Sequence, residues 1–347
     1  MFESQSVFVT GGTGSFGQKF VETLLHRDPP KRLIIFSRDE LKQSEMAQRF
    51  SPRIHRCLRY FIGDVRDRDR LFRALDGVDV VVHTAALKQV PSCEYNPLEA
   101  VKTNVLGAAN LIDAAIDRRV QKVIALSTDK AANPINLYGA TKLCADKLFT
   151  AANHYAGQHP TRFAVVRYGN VVASRGSVVP LFLNKSSGGV VPVTDPRMTR
   201  FWITLQRGVD FVLQSLQWMR GGEIFVPKIP TMNILDLARA VAPDCRTETV
   251  GIRPGEKLHE TMISEDDARQ TLEYADHFVI LPDPENLLFE RATDMDTGSP
   301  CPEGFRYTSD TNPQRLSIGE LRRMLGLGDD KDRPDEDRAD AEETLVA

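Results

Sequence analysis

The chain has 347 residues, 41% of them hydrophobic and 26% charged, which is the make-up of an ordinary globular protein with enough apolar residues for a substantial core. Its formal charge of -3 excludes a general attraction to nucleic acid or an anionic membrane, so any cation that matters must act locally. Five scattered cysteines without a Cys-x-x-Cys pair, and seven histidines without ligand spacing, argue against a metal site and for free thiols in a reducing compartment. The first nine residues lack the basic start and apolar run of a signal peptide, and no segment holds the roughly 18 to 20 uninterrupted apolar residues of a membrane span. A soluble, cytoplasmic protein is expected.

From the start of the chain, short β-branched apolar runs alternate with amphipathic segments. Strands are expected over 6–10, 32–36, 59–62, 78–83, 122–127 and 163–168, and helices over 15–25, in the stretch up to Phe50, near 96–118 and over 138–155. Alternation of this kind means parallel strands joined by helical crossovers, and strands apolar on both faces mean a covered sheet. The fold class is therefore α/β, a Rossmann-like doubly wound parallel sheet over residues 1–170. Beyond Tyr168 the period loosens, with Gly/Ser/Pro-rich connections over 174–180 and 186–196, a helix over 205–219 and a short strand over 223–226. Residues 171–327 read as a smaller, mainly substrate-binding C-terminal region with some elements returning to the first domain. Residues 328–347 form an acidic run without apolar periodicity, expected to be disordered.

The first strand ends in Thr10-Gly11-Gly12-Thr13-Gly14-Ser15-Phe16-Gly17. Glycines 11, 14 and 17 at a strand-to-helix turn permit a tight bend, close approach to a pyrophosphate and close helix packing, while the helix N-terminus supplies donors. Thr13, Ser15 and Phe16 belong to the same cofactor-binding loop. About 20 residues on, where a nucleotide ribose is read, stands Phe36-Ser37-Arg38-Asp39-Glu40. The Ser37 hydroxyl and Arg38 guanidinium suit a 2′-phosphate, favouring NADP over NAD, whereas a one-residue shift would present Asp39; Lys42 follows in the next turn. Thr84-Ala85-Ala86 after the fourth strand leaves room for a cofactor across the strand ends, and Lys88 brings a cation within reach of phosphate or substrate.

The densest chemistry lies in Ser127-Thr128-Asp129-Lys130-Ala131-Ala132-Asn133-Pro134-Ile135-Asn136-Leu137-Tyr138-Gly139-Ala140-Thr141-Lys142. Tyr138 and Lys142 are one helical turn apart on one face, and an ammonium beside the phenol is expected to lower it from its usual value of about 10. Thr128 stands at the C-terminal end of a strand, where open α/β sheets bind ligands. His83 reads as a satisfied buried histidine rather than a catalyst, and Trp202 as core.

The glycine spacing G-x-x-G-x-x-G and the Tyr138/Lys142 pair resemble the extended short-chain dehydrogenase/reductase superfamily. In that superfamily a pair like Asp64-Val65 contacts adenine. From Thr10 to about Glu260 the chain is similar to nucleotide-sugar enzymes of this group, and the run Thr128 to Lys142 resembles the inverting UDP-N-acetylglucosamine 4,6-dehydratases that begin pseudaminic acid synthesis. Supporting segments are Ser37-Arg38-Asp39-Glu40-Leu41-Lys42-Gln43, Arg167-Tyr168-Gly169-Asn170-Val171, Ser174-Arg175-Gly176-Ser177, Met198-Thr199-Arg200-Phe201-Trp202 and Arg253-Pro254-Gly255-Glu256-Lys257. Dehydratases that retain carbon 5 carry Asp-Glu after the threonine, where this chain has Asp129-Lys130.

The resemblance implies Tyr138 as acceptor of the 4-hydroxyl proton, Lys130 as base at carbon 5, Asp129 as acid at the 6-hydroxyl, and Thr128 and Lys142 beside them. A neutral Lys130 beside a protonated Asp129 is the microstate this requires. It further implies UDP-N-acetylglucosamine held by Lys88, Asn170, Val171, Arg175, Arg200, Arg253 and Glu256, catalytic NADP regenerated each turnover, a homo-oligomer, and UDP-2-acetamido-2,6-dideoxy-β-L-arabino-hex-4-ulose as product. Competing readings are a nucleotide-sugar 4-epimerase, which would need no Lys130, a dehydratase serving capsule or O-antigen, and a non-catalytic NADP-binding regulator.

Overall fold

The computed structural model describes residues 1–172, 178–186, 188–282 and 298–327. Arg175 and the acidic run from 328 onward lie outside the described residues. Contacts divide the chain into two units, the first comprising Met1–Tyr168, Gly208–Lys228 and Met262–Arg306, the second Gly169–Arg207, Ile229–Thr261 and the residues from Tyr307 on.

In the first unit β1 (Ser6–Thr10), β2 (Arg32–Ser37), β3 (Leu58–Ile62), β4 (Val80–His83), β5 (Lys122–Thr128) and β6 (Arg162–Tyr168) lie in the order β3-β2-β1-β4-β5-β6. All are parallel. The order reverses between β1 and β4, the switch point where such sheets leave a crevice at the strand ends. Ile224–Pro227 extends the sheet in parallel beyond β6, and His277–Ile280, Thr271–Glu273 and Ser299–Pro300 continue it antiparallel. Val7, Phe8, Val9, Ile34, Ile35, Val81, Val123, Ile124, Val165 and Val166 are fully buried, as strands covered on both faces require. The six expected strands agree with these within about two residues.

The crossovers are α1 (Ser15–Arg27), α2 (Glu40–Arg49), α3 (Arg68–Ala74), then α4 (Val90–Tyr95), α5 (Pro97–Val101) and α6 (Gly107–Asp117), and finally α7 (Leu137–Tyr155). The single helix expected near 96–118 is interrupted by a π turn at Lys102–Leu106, and α4 precedes it. Asn96 leaves helical geometry before Pro97, whose ring disfavours the α region in the preceding residue. The π turn adds one residue to the helical circuit and turns Thr103 and Asn104 into the interior. Helix α3, capped by the Asp67 carboxylate on the Arg70 amide, is too short to show a period in the sequence.

In the second unit Asn170–Val171, Thr199–Ile203 and Thr231–Asn233 form a three-stranded sheet, and Val190–Val193 pairs with Arg246–Thr249. Val179, Phe182, Trp202, Met232, Leu237 and Leu321 make its core. No helix among the described residues is long and apolar enough to cross a membrane.

Candidate active site

The crevice at the switch point is built by β1 and β4. Thr10 Oγ1 bonds His83 Nδ1 at 2.8 Å and accepts from the Thr84 and Ala85 amides at 3.1 and 3.2 Å, locking the two strand ends together. Burial holds His83 down to about 3, so the ring is neutral and serves this bond. Gly11 has φ +63°, and a Cβ there would stand 2.9 Å from the Ala85 backbone, so the first glycine is dictated by both conformation and contact. Gly14 caps α1 with no side-chain hydrogen bond, which leaves the helix N-terminal amides to an anion. Gly17 is buried on the inner face of α1, and Phe16 stacks between Phe20 and Tyr168 at 6.1 and 6.5 Å.

At the end of β2, Ser37 Oγ bonds Thr13 Oγ1 at 2.9 Å, joining the second strand end to the glycine loop. Asp39 is committed to α2. Its carboxylate accepts from the Lys42 amide at 3.0 Å and pairs with Lys42 Nζ at 2.9 Å, and these bonds hold it below the usual carboxylate range. Arg38 is more than half exposed, with Asp64 3.6 Å away. Asp64 in turn is gripped by Arg66 through Nε at 3.0 Å and Nη2 at 2.7 Å. Val65 is buried against Gly107. Ala85 and Ala86 line the half-buried stretch after β4. Lys88 is exposed as a residue, but loss of hydration at its ammonium and the charge of Lys130 push it down.

Strand β5 delivers Thr128, and a 3-10 turn over Asp129–Ala131 follows. Asp129 is fully buried. Its Oδ1 accepts from Thr128 Oγ1 at 2.8 Å and from Lys130 Nζ at 3.0 Å, while Oδ2 is buried with no hydrogen-bond partner. The Thr128 hydroxyl also acts on the Tyr138 phenol, drawing it down against burial. Thr128, Asp129 and Lys130 therefore form one hydrogen-bonded chain, with the Tyr138 phenol within its electrostatic influence. Helix α7 begins where Asn136 Oδ1 accepts from the Gly139 amide at 2.8 Å. Gly139 is pressed against the 3-10 turn: a Cβ would collide with the Lys130 carbonyl oxygen and stand 3.1 Å from its carbonyl carbon and from Pro134 Cβ.

One expectation is corrected here. Tyr138 is not lowered by Lys142. Burial pushes the phenol up to about 12, and the groups that oppose this are Lys130 and the Thr128 hydroxyl. Lys142 shares the helical face, but its Nζ turns to the Leu126 carbonyl at 2.7 Å. Burial pushes this ammonium down, and Asp146, one turn further on, opposes the shift.

Asn104, on the π turn, went unrecognised in the sequence. Its side chain accepts from the Leu87 amide at 2.8 Å and donates to the Leu87 carbonyl at 2.9 Å and to Thr141 Oγ1 at 3.0 Å. It thereby holds the loop bearing Lys88 to the helix bearing Tyr138. The only local sign of it was an asparagine inside an apolar helical pattern.

The second unit carries the remaining candidates. Asn170 and Val171 pair with Trp202 and Ile203, and Trp202 belongs to the core. Arg200 is buried, and its guanidinium donates to the carbonyls of Thr199, Leu258 and Lys257 at 2.8, 2.9 and 2.9 Å. It braces the 257–258 backbone from within, a structural task its motif position did not announce. Arg253 is exposed, with Nε 3.5 Å from Glu256, whose carboxylate also accepts from the Arg253 amide at 3.4 Å.

Residues 7–282 match a family described as polysaccharide biosynthesis protein. Over 332 residues the chain is 53% identical to a UDP-N-acetylglucosamine 4,6-dehydratase (inverting) of Campylobacter jejuni, covering 94% of this chain and 98% of that one. It is 41% identical over 341 residues to a UDP-glucose 4-epimerase of Rickettsia akari, covering 94% and 96% respectively. The X-ray structure of Pen from Bacillus thuringiensis aligns with a TM-score of 0.85 and 36% identity, over 94% of this chain and 98% of that one.

Proposed function

The chain belongs to the family of polysaccharide biosynthesis proteins within the extended short-chain dehydrogenases, and from that premise we propose that it is a UDP-N-acetylglucosamine 4,6-dehydratase that inverts carbon 5. The observation that carries the reading is the Asp129-Lys130 pair: a fully buried carboxyl whose Oδ2 has no partner, joined through Oδ1 to an amine and to the Thr128 hydroxyl, which acts on the Tyr138 phenol. A hydride-transferring epimerase needs the phenol but has no use for a second base and an acid.

The residues present fit a dinucleotide, given a helix N-terminus without a side-chain cap and a glycine whose Cβ position is already filled by backbone. NADP rather than NAD is the reading supported by Arg38 and Ser37 at the end of β2, with Asp39 committed to its own helix. Held by the glycine loop and the N-terminus of α1, the nicotinamide would supply a hydride acceptor for carbon 4 and a hydride donor for carbon 6. Tyr138 takes the proton of the 4-hydroxyl in its phenolate form, which Lys130 and the Thr128 hydroxyl favour against burial. The resulting 4-ketone makes the carbon 5 proton acidic, and Lys130, once it has passed its own proton to Asp129 across their 3.0 Å contact, removes it. Asp129, protonated by that transfer, gives the proton to the departing 6-hydroxyl, and water leaves. Carbon 5 is then reprotonated from solvent on the opposite face, and Tyr138 releases to solvent the proton it took, which restores the starting state. Lys142 holds the strand end beside Tyr138 through the Leu126 carbonyl, and by resemblance Lys88, Asn170, Val171, Arg253 and Glu256 serve the UDP-sugar, with Arg200 bracing the 257–258 backbone.

The relatives named UDP-glucose 4-epimerase favour a second reading, and the product separates the two. A proton NMR time course with UDP-N-acetylglucosamine in deuterated water should show a new carbon 6 methyl signal and deuterium at carbon 5. Lys130→Ala should abolish that exchange; exchange at the wild-type rate would remove Lys130 as the base, and a 4-epimer without a methyl signal would establish the epimerase. By resemblance we also place the enzyme first in pseudaminic acid synthesis, upstream of flagellin or surface-glycan modification, as a cytoplasmic homo-oligomer.

A further inference from the structure

Asp146 has no part in the scheme above, yet it sits at the centre of a clasp on the catalytic strand and helix. It lies on α7 one turn beyond Lys142 and two beyond Tyr138, so the three share a face. Its Oδ2 accepts from Ser127 Oγ at 2.7 Å and from Arg167 Nη2 at 3.4 Å. Ser127 and Arg167 are direct neighbours across β5 and β6. Lys142 Nζ meanwhile holds the Leu126 carbonyl. Two consecutive residues of β5 are thus tied to two consecutive turns of α7, immediately before Thr128, Asp129 and Lys130. On its far side Arg167 is anchored by the Met262 carbonyl at 2.9 Å and by Asp267 at 3.1 Å.

We infer that Asp146 is a positioning residue that, through Ser127 and Lys142, sets the strand end bearing Thr128, Asp129 and Lys130 against the helix bearing Tyr138, an assignment that rests on the function proposed above. Asp146 and Arg167 are both only 2% exposed. A buried ion pair is costly to desolvate, and apolar residues would fill the same space at equal or better stability. A positioning task accounts for keeping charge here. The charged and titratable groups around the clasp are Lys142 and Tyr138 on its own helix, Arg167 and Tyr168 on β6, Asp267 on the returning segment, and His83 on β4, which is neutral. Burial drives Lys142 down and Asp146 up, and each of the two groups opposes the other's shift.

Asp146→Asn keeps the shape and the Ser127 bond while removing the charge. It should lower kcat on the order of 10²-fold with KM for UDP-N-acetylglucosamine nearly unchanged, as a misplaced reacting group does. The titration of Lys142, followed by NMR with carbon-13 at the lysine ε-carbons and assigned with Lys142→Arg, should move to lower pH, and Asp146→Glu should restore it. A folded Asp146→Asn protein with wild-type kcat, or with unchanged Lys142 titration, overturns the proposal whatever its melting temperature, by making the pair merely structural. Should that variant not fold, Ser127→Ala carries the test: about a tenfold loss of kcat at constant KM supports the clasp, and wild-type kcat overturns it. Absence of wild-type turnover with UDP-N-acetylglucosamine would instead sink the proposed function, while the Lys142 titration would still decide the clasp.

Discussion

Gly139→Ala adds one carbon at the point where α7 meets the turn carrying Asp129 and Lys130. The Lys130 carbonyl oxygen already occupies that place, with the Lys130 carbonyl carbon and Pro134 Cβ at 3.1 Å. Restoring ordinary van der Waals separation requires the two backbones to part by about 1 Å. The helix is poorly able to yield, because Asn104 holds Thr141, the Leu126 carbonyl holds Lys142, and Ser127 and Arg167 hold Asp146. Displacement therefore falls on residues 129–131, whose Asp129 side chain aligns both Thr128 and Lys130.

A shift of about 1 Å in reacting groups lowers a rate on the order of 10²-fold, and overpacking of this size costs about 1–3 kcal/mol of stability. The expected pattern is a large fall in kcat and in carbon 5 exchange, a melting temperature lower by a few degrees, and an unchanged dissociation constant for NADP, since the glycine loop is built by β1, α1 and β4. Wild-type kcat in Gly139→Ala would refute the placement of the turn. Equal loss of NADP affinity would refute the claim that the turn alone moves.

Arg38→Ala should raise the dissociation constant for NADP about tenfold, the worth of a charge-assisted hydrogen bond, and leave NAD within about twofold; equal weakening of both nucleotides would remove Arg38 as the reader of a 2′-phosphate. His83 gives a pH dependence of known sign. Its folded value is depressed from 6.5 to about 3, so the unfolded chain binds the extra proton between them. Its contribution is fully present above 6.5 and is lost toward about 3 at about 1.4 kcal/mol per pH unit. Chemical denaturation from pH 7 to pH 4 should therefore show a shallower decline for His83→Gln than for wild type; parallel declines would mean that His83 is not held neutral.

What the sequence revealed and what it hid divide along chain separation. The glycine loop is legible because backbone conformation and close approach at Gly11 are local demands that only one residue type meets, and Asp129 touches Lys130 because they are adjacent. Tyr138 and Lys142 were legible as a shared face, but spacing fixes where a Cβ lies and not where a four-carbon stem leads. Lys142 reached the Leu126 carbonyl, 16 residues back, and left the phenol to Lys130. Arg200 shows the same limit: a guanidinium in a ligand-binding motif went instead to carbonyls 57 and 58 residues on. Asn104 and Asp146 meet partners 37, 19 and 21 residues away across helix and strand, and no local pattern names such partners. A parallel sheet forces chemistry-bearing residues to its strand ends, so sequence finds the reacting groups. The groups that hold them at the right distance come from neighbouring strands and helices, and only the fold identifies them.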